Sequence, residues 1–263
     1  RSTPKPSSAA SDVYKRQVEN KSVFDIVQED FKYAKALNSF GIEFYNHYNQ
    51  TINEVCLKKG IDKDSLVGYR ISLDESFDLD FNTLKTSPIN LVIEYLKHNH
   101  SYFIKNRLPY IKSLISNLNL EDKKYNFFND LKFVFPIFYE DFVDHILEEE
   151  KYIFTHIMNL FQVEKNSKDH SRLFFAIKNL SLKDIAKEHI EEDSEMSGIR
   201  GLTQNYSLKN IENLHLKVIF QELKHFDKEL ETHSDIENKI LFPRALELQD
   251  KVSDEIRNIS FLN

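Results

Sequence analysis

The chain has 263 residues, a mass of 31.1 kDa, a formal net charge of -7 and a pI near 5.8, so it has no basic surplus for nucleic acid. No run of about 18 apolar residues occurs, which excludes a membrane-spanning helix; the single Cys56 excludes an internal disulfide framework and suits a reducing cytoplasm. With only 5 Gly and 6 Pro, the chain lacks the turn residues that sheet-rich folds need, and an all-α fold is expected.

Residues 1–17, RSTPKPSSAASDVYKRQ, lack the apolar stretch of a secretory signal. They look like a translated sequencing adapter or cloning scar, and they are expected to be disordered. Residues 18–72 read as a small helical N-terminal domain. Ser22 starts a helix expected to reach Leu37, with Gly41 after it as a left-handed stop. Thr51 and Glu54 have capping-box spacing, and Gly60 ends that helix. Residues 73–86 are acidic and polar without helical period, and read as a linker.

A second domain, 87–263, opens with Ser87 as N-cap and Pro88 at the first helical position. Leu96, His100, Phe103, Ile104, Leu108, Ile111 and Ile115 form an apolar stripe that turns His100 inward; His98 is about 200° away and points to solvent. A second long helix, roughly 122–162, aligns Phe138, Phe142, His145, Glu149 and Tyr152, with Pro136 expected to bend it. Ser181 caps a third, carrying His189 and Asp193 and reaching about Tyr206. The last carries Phe226, His233, Glu237 and Leu241 and bends at Pro243.

Two of these helices share the pattern His-x-x-x-Glu-x-Lys-x-x-Phe, at His145/Glu149 and His233/Glu237. A four-residue offset stacks imidazole and carboxylate on one helix face, making a two-toothed metal clamp. His100 precedes the first pair by almost the same distance as His189 precedes the second. Four helices each directing a nitrogen or carboxylate toward a common axis is how bundles hold two metal ions. The expected metal ligands are therefore His100, His145, Glu149, His189, His233 and Glu237.

An isolated His-x-x-x-Glu pair is usually a surface salt bridge. The two chosen pairs differ in lying on apolar faces, where an uncompensated carboxylate is costly. His225/Glu229 is rotated about 80° from the His233 line and is rejected. His156 reads as a core contact or a group orienting a ligand, Tyr152 and Asp193 as groups facing the site, and Glu148 and Glu150 as solvated. His47, His170 and His215 take solvent or helix-end roles. Four imidazoles and two carboxylates without thiolate suit iron or manganese and also accept zinc, with iron favoured because a carboxylate-bridged pair reacts with O2, nitric oxide or peroxide.

The segments His100–Pro109, His145-x-x-x-Glu149, Glu188-His189 with Ile199–Thr203, and above all His233-x-x-x-Glu237 followed by Phe242-Pro243-Arg244-Ala245-Leu246, resemble the hemerythrin-like domain of iron-sulfur cluster repair di-iron proteins. Residues 41–62 resemble that family's short N-terminal domain, with Tyr45 and Asn46 where the family has two adjacent cysteines. The resemblance implies a hemerythrin-like four-helix bundle over 87–263. It also implies a non-haem di-iron centre bridged by both glutamates, a role in repairing clusters damaged by nitrosative or oxidative stress, and a homodimer. The family's further His between the first and second helices has no counterpart in residues 112–130. The expected partners are damaged iron-sulfur proteins and small ligands such as O2 or nitric oxide, with neither nucleic acid nor membrane. An O2- or nitric-oxide-binding sensor is the alternative, and a metal-free helical interaction protein the third reading.

Overall fold

The computed structural model describes residues 20–74, 81–120, 125–166, 181–191 and 196–261. The expected leader 1–17 lies outside them. As composition requires, the protein is all-α: among the described residues the only β pairing is an isolated bridge between Ser22 and Thr51. No helix among them is long and apolar enough to cross a membrane. The chain divides into two compact units, Arg1–Asp78 with Leu208–Gln221, and Leu79–Ser207 with Glu222–Asn263.

In the first unit, Ser22 accepts from the Asp25 N–H and starts α1 (Val23–Glu29). The helix expected to continue to Leu37 stops at Asp30, whose backbone is extended and whose carboxylate accepts from the Lys32 N–H and from Arg70. A short acidic side chain that bonds the local backbone competes with helix continuation, and α2 (Lys32–Ser39) starts afresh. Thr51 and Glu54 form the expected reciprocal capping box on α3 (Ile52–Lys59), and Gly60 closes it at φ +69°. Asp62 caps α4 (Lys63–Ser72).

Leu208–Gln221 belongs to this unit although it lies far along the chain, beyond the domain boundary read from composition. Leu214, Leu216, Val218, Ile219 and Phe220 are all buried, too many directions for an amphipathic surface helix. His215, at a helix start as expected, is buried and stacks on Tyr45 with centroids 4.3 Å apart and planes 7° from parallel.

In the second unit, part of the expected linker is helical: α5 (Phe81–Thr86) buries Leu84 in the core. α6 (Ile89–Tyr102) begins differently from expectation, with Pro88 as the cap and no capping side chain. The Ser87 hydroxyl instead donates back to the Thr83 carbonyl at 2.7 Å and finishes α5. The following helices are α7 (Leu108–Asn117), α8 (Phe127–Glu148), α9 (Thr155–Asn166), α10 (Leu182–Glu191), α11 (Ser197–Leu202), α12 (Leu214–Ile236, shared with the first unit) and α13 (Phe242–Phe261). The third helix does not reach Tyr206: Gln204, Asn205 and Tyr206 adopt φ of 50°, 55° and 59°.

Three of the long rods contain a π-helical turn: Phe103–Arg107 joins α6 to α7, Glu149–Phe154 joins α8 to α9, and Glu237–Leu241 joins α12 to α13. The Leu108 N–H reaches the Phe103 carbonyl and the Phe242 N–H the Glu237 carbonyl, the wide i to i-5 pattern. Pro109 and Pro243 follow these two turns. Lacking an N–H and clashing with the carbonyl four residues back, a proline is accommodated by such widening. Pro136, by contrast, lies inside the continuous α8. The core joins α6, α9, α10, the third π turn and α13 through Ile93, Leu96, Ile157, Leu160, Leu182, Leu241, Ala245 and Val252.

Candidate metal centre

The inward stripe of α6 buries His100, with only 1% of its surface exposed. Glu149 opens the second π turn and is 2% exposed; His233, near the end of α12, and Glu237, which opens the third π turn, are 7% and 1% exposed. These four side chains offer two imidazole nitrogens and two carboxylate oxygens, all within 4.8 Å of one another. His100 Nε2 lies 2.9 Å from His233 Nε2 and 3.5 Å from Glu149 Oε2, and His233 Nε2 lies 2.9 Å from Glu237 Oε1.

Burial, reinforced for His100 by the neighbouring His233, pushes the pKa of both imidazoles down to about 3, so both are neutral at physiological pH. Glu150 Oε1 lies 2.9 Å from His100 Nδ1. With the proton on Nδ1 donated to Glu150, Nε2 presents a lone pair toward the other three groups. A carboxylate behind a ligating imidazole is the usual means of fixing its tautomer and direction. Two imidazoles and two carboxyl groups brought this close in a dry site need either shared protons or a cation among them. Their spacing fits one: ligands bonded at about 2.1 Å stand about 3 Å apart when adjacent. The group can therefore hold a metal ion, and its N/O composition without thiolate favours iron, manganese or zinc over softer metals.

His145 is half-buried and does not join the tight group. It lines a cavity of about 120 Å³ that also touches His100, Glu149, His233, Glu237, Arg200 and Asp227. His189 belongs to α10 by backbone, but its side chain lies outside the described residues, as do Asp193, His170 and the 121–124 segment. Four of the six expected ligands thus meet, a fifth lines the adjoining cavity, and the sixth is undescribed.

Other readings divide. His98 and His225 are exposed, in line with the phase argument that set them aside. His156 is a buried core residue on α9, its pKa lowered by burial. Tyr152 does not face the site: it is 52% exposed, because the π turn in which it lies shifts the phase beyond Glu149. Glu150, expected in solvent, instead reaches His100 on another helix.

Sequence reasoning missed a buried ion cluster beside this site. Arg107, 1% exposed, donates to Glu222 at 2.6 Å and Glu229 at 2.7 Å. Burial opposes its charge, but the two glutamates outweigh that and hold it protonated. The signal was present, since Arg107 lies seven residues after His100 and Glu222 seven before Glu229, each pair along one helix line. Phe103, Phe142, Phe154 and Phe226 complete the surroundings; the Phe154 ring stacks on His100 and the Phe103 ring meets His233 edge-on. No family model matches the chain, nor does any of the curated proteins searched.

Proposed function

We propose that this chain is a cytoplasmic non-haem di-iron protein with a hemerythrin-like bundle, acting in repair of iron-sulfur clusters damaged by nitrosative or oxidative stress, and that it does so by supplying iron. The observation that carries this reading is the meeting of His100, Glu149, His233 and Glu237 beside a cavity lined by His145. Held there, iron would supply redox chemistry toward O2, nitric oxide and peroxide together with a releasable store of the metal. Glu150 keeps the His100 ring in one tautomer, the phenylalanine cage keeps water from the buried carboxylates, and half-buried His145 marks the side on which small molecules reach the group. The bridging roles of Glu149 and Glu237, the ligation by His145 and His189, the damaged iron-sulfur proteins as partners and a homodimer all belong to this proposal.

Two measurements test it. Protein grown with iron should hold close to two equivalents, and His145→Ala and Glu237→Ala should each lower that number; less than about one equivalent, unchanged by either substitution, leaves only a helical interaction protein. Reduced, iron-loaded protein mixed with a nitric-oxide-damaged cluster enzyme should restore activity beyond the same amount of free ferrous iron, and equal recovery would defeat the repair role. A second reading, a module that binds O2 or nitric oxide and reports it, is favoured by Tyr45 and Asn46 at the places of the family's cysteine pair. Reversible spectral change on adding and removing O2, without loss of iron, would select it.

A further inference from the structure

Arg244, at the start of α13, is the only arginine among the described residues without an acidic partner. Arg70 pairs with Asp30 and Asp74, Arg107 with Glu222 and Glu229, Arg200 with Asp227, and Arg257 with Asp254. The Nη1 of Arg244 is nevertheless buried and meets no hydrogen-bond acceptor. A guanidinium keeps its charge at any physiological pH, and a buried N–H of that kind requires an oxygen from somewhere.

Arg244 lines a cleft of about 470 Å³ that shares no residue with the metal cavity. Lys165, whose ammonium lies over the Phe161 ring, and Lys251 also line it. Glu164 is taken up by Lys251, and Glu247 is the other acid on the wall, so cations are in surplus. Ile89, the first residue of the 14-residue α6, reaches the same cleft, and no side chain caps that helix. Its first N–H groups and the positive end of its dipole add to the attraction for an anion. Phe161 and Leu248 give the cleft an apolar wall. Its size is that of a small-molecule site, far more than a lone phosphate fills.

We propose that this cleft binds a small molecule carrying a phosphate-type oxyanion and an apolar group, the oxyanion held by Arg244, Lys165 and the start of α6, and the apolar part lying on Phe161 and Leu248. The unpaired nitrogen of Arg244 then has its acceptor, and the cation surplus its counter-charge.

Calorimetric titration of the full chain with inorganic phosphate and with phenyl phosphate, ionic strength held constant with chloride, tests this. Phenyl phosphate is expected to bind about fivefold or more tightly than phosphate, and Arg244→Gln to weaken both by about tenfold or more. Phe161→Ala should abolish the phenyl advantage while leaving phosphate affinity in place. If Arg244→Gln does not fold, Lys165→Gln takes its place with a loss of about fivefold. Phosphate binding no stronger than chloride, or affinity insensitive to these substitutions in folded protein, overturns the proposal.

Discussion

At His100 the position of a proton is decided by Glu150, a carboxylate fifty residues away on another helix. Glu150→Ala is predicted to leave the fold intact and weaken metal binding about 10–100-fold, because an imidazole free to choose its tautomer no longer holds its Nε2 lone pair ready; competition with a chelator measures it. A pH effect follows from the same burial. His100 and His233 have folded pKa values near 3, well below the ordinary 6.5 of an unfolded imidazole. Below about pH 6.5 the unfolded chain takes up protons that the folded chain refuses, so the stability these groups contribute is complete above that pH and drains away as pH falls toward 3. Urea midpoints of metal-free protein at pH 7.5, 6 and 5 should fall in that order, and more gently for His100→Gln, by about one linked proton. Glu149, His233 and Glu237 were legible because i,i+4 spacing is a property of one helix. Glu150 was not, since its partner is on another helix and its neighbours 148 and 149 make it look like part of a solvated run.

Among the elements, most caps and stops follow from local chemistry: Ser22, the Thr51–Glu54 box and Gly60 sit where expected, while Ser87 finishes α5 instead of capping α6. The π turns were not, because a single extra residue in a turn leaves the apolar periodicity on either side intact and changes only the phase between them. That phase shift turns Tyr152 outward from its expected inward position, and a similarly nonlocal cause, the burial of Leu84, makes part of an acidic linker into α5. Arg107 closes the first π turn and ties it to α12 through Glu222 and Glu229. Removing the cation strands a glutamate that is only 3% exposed. Arg107→Met is therefore predicted to cost about 3–5 kcal/mol in denaturant unfolding, the range for breaking one partner out of a buried ion pair. Arg107→Met combined with Glu222→Leu and Glu229→Gln should recover much of that loss, since uncharged side chains of similar volume leave nothing buried and unpaired.

Across the whole molecule, every expected ligand lies in the second unit, whereas helices α1 to α4 and the Tyr45–His215 stack lie in the first. A metal that binds only when His100, Glu149, His233 and Glu237 are assembled adds its binding free energy to states in which α6, α12 and the second and third π turns are all in place, and to no state in which they are apart. At a free metal concentration a hundred times the dissociation constant, that is about 2.7 kcal/mol. The gain should be local. Hydrogen exchange on loaded and chelator-stripped protein is predicted to show protection at Phe103, Phe154 and Phe226 falling on metal removal, while Val23, Leu37 and Ile52 keep theirs. Equal loss of protection at both sets would mean that the two units unfold as one, and unchanged protection at Phe103 and Phe154 would mean that the assembled ligands do not depend on a bound ion. His145→Ala separates these cases further, because a half-buried residue lining the cavity can be removed without breaking into the apolar core. In the stripped protein that substitution should change protection little, and in the loaded protein it should reproduce part of the stripped pattern.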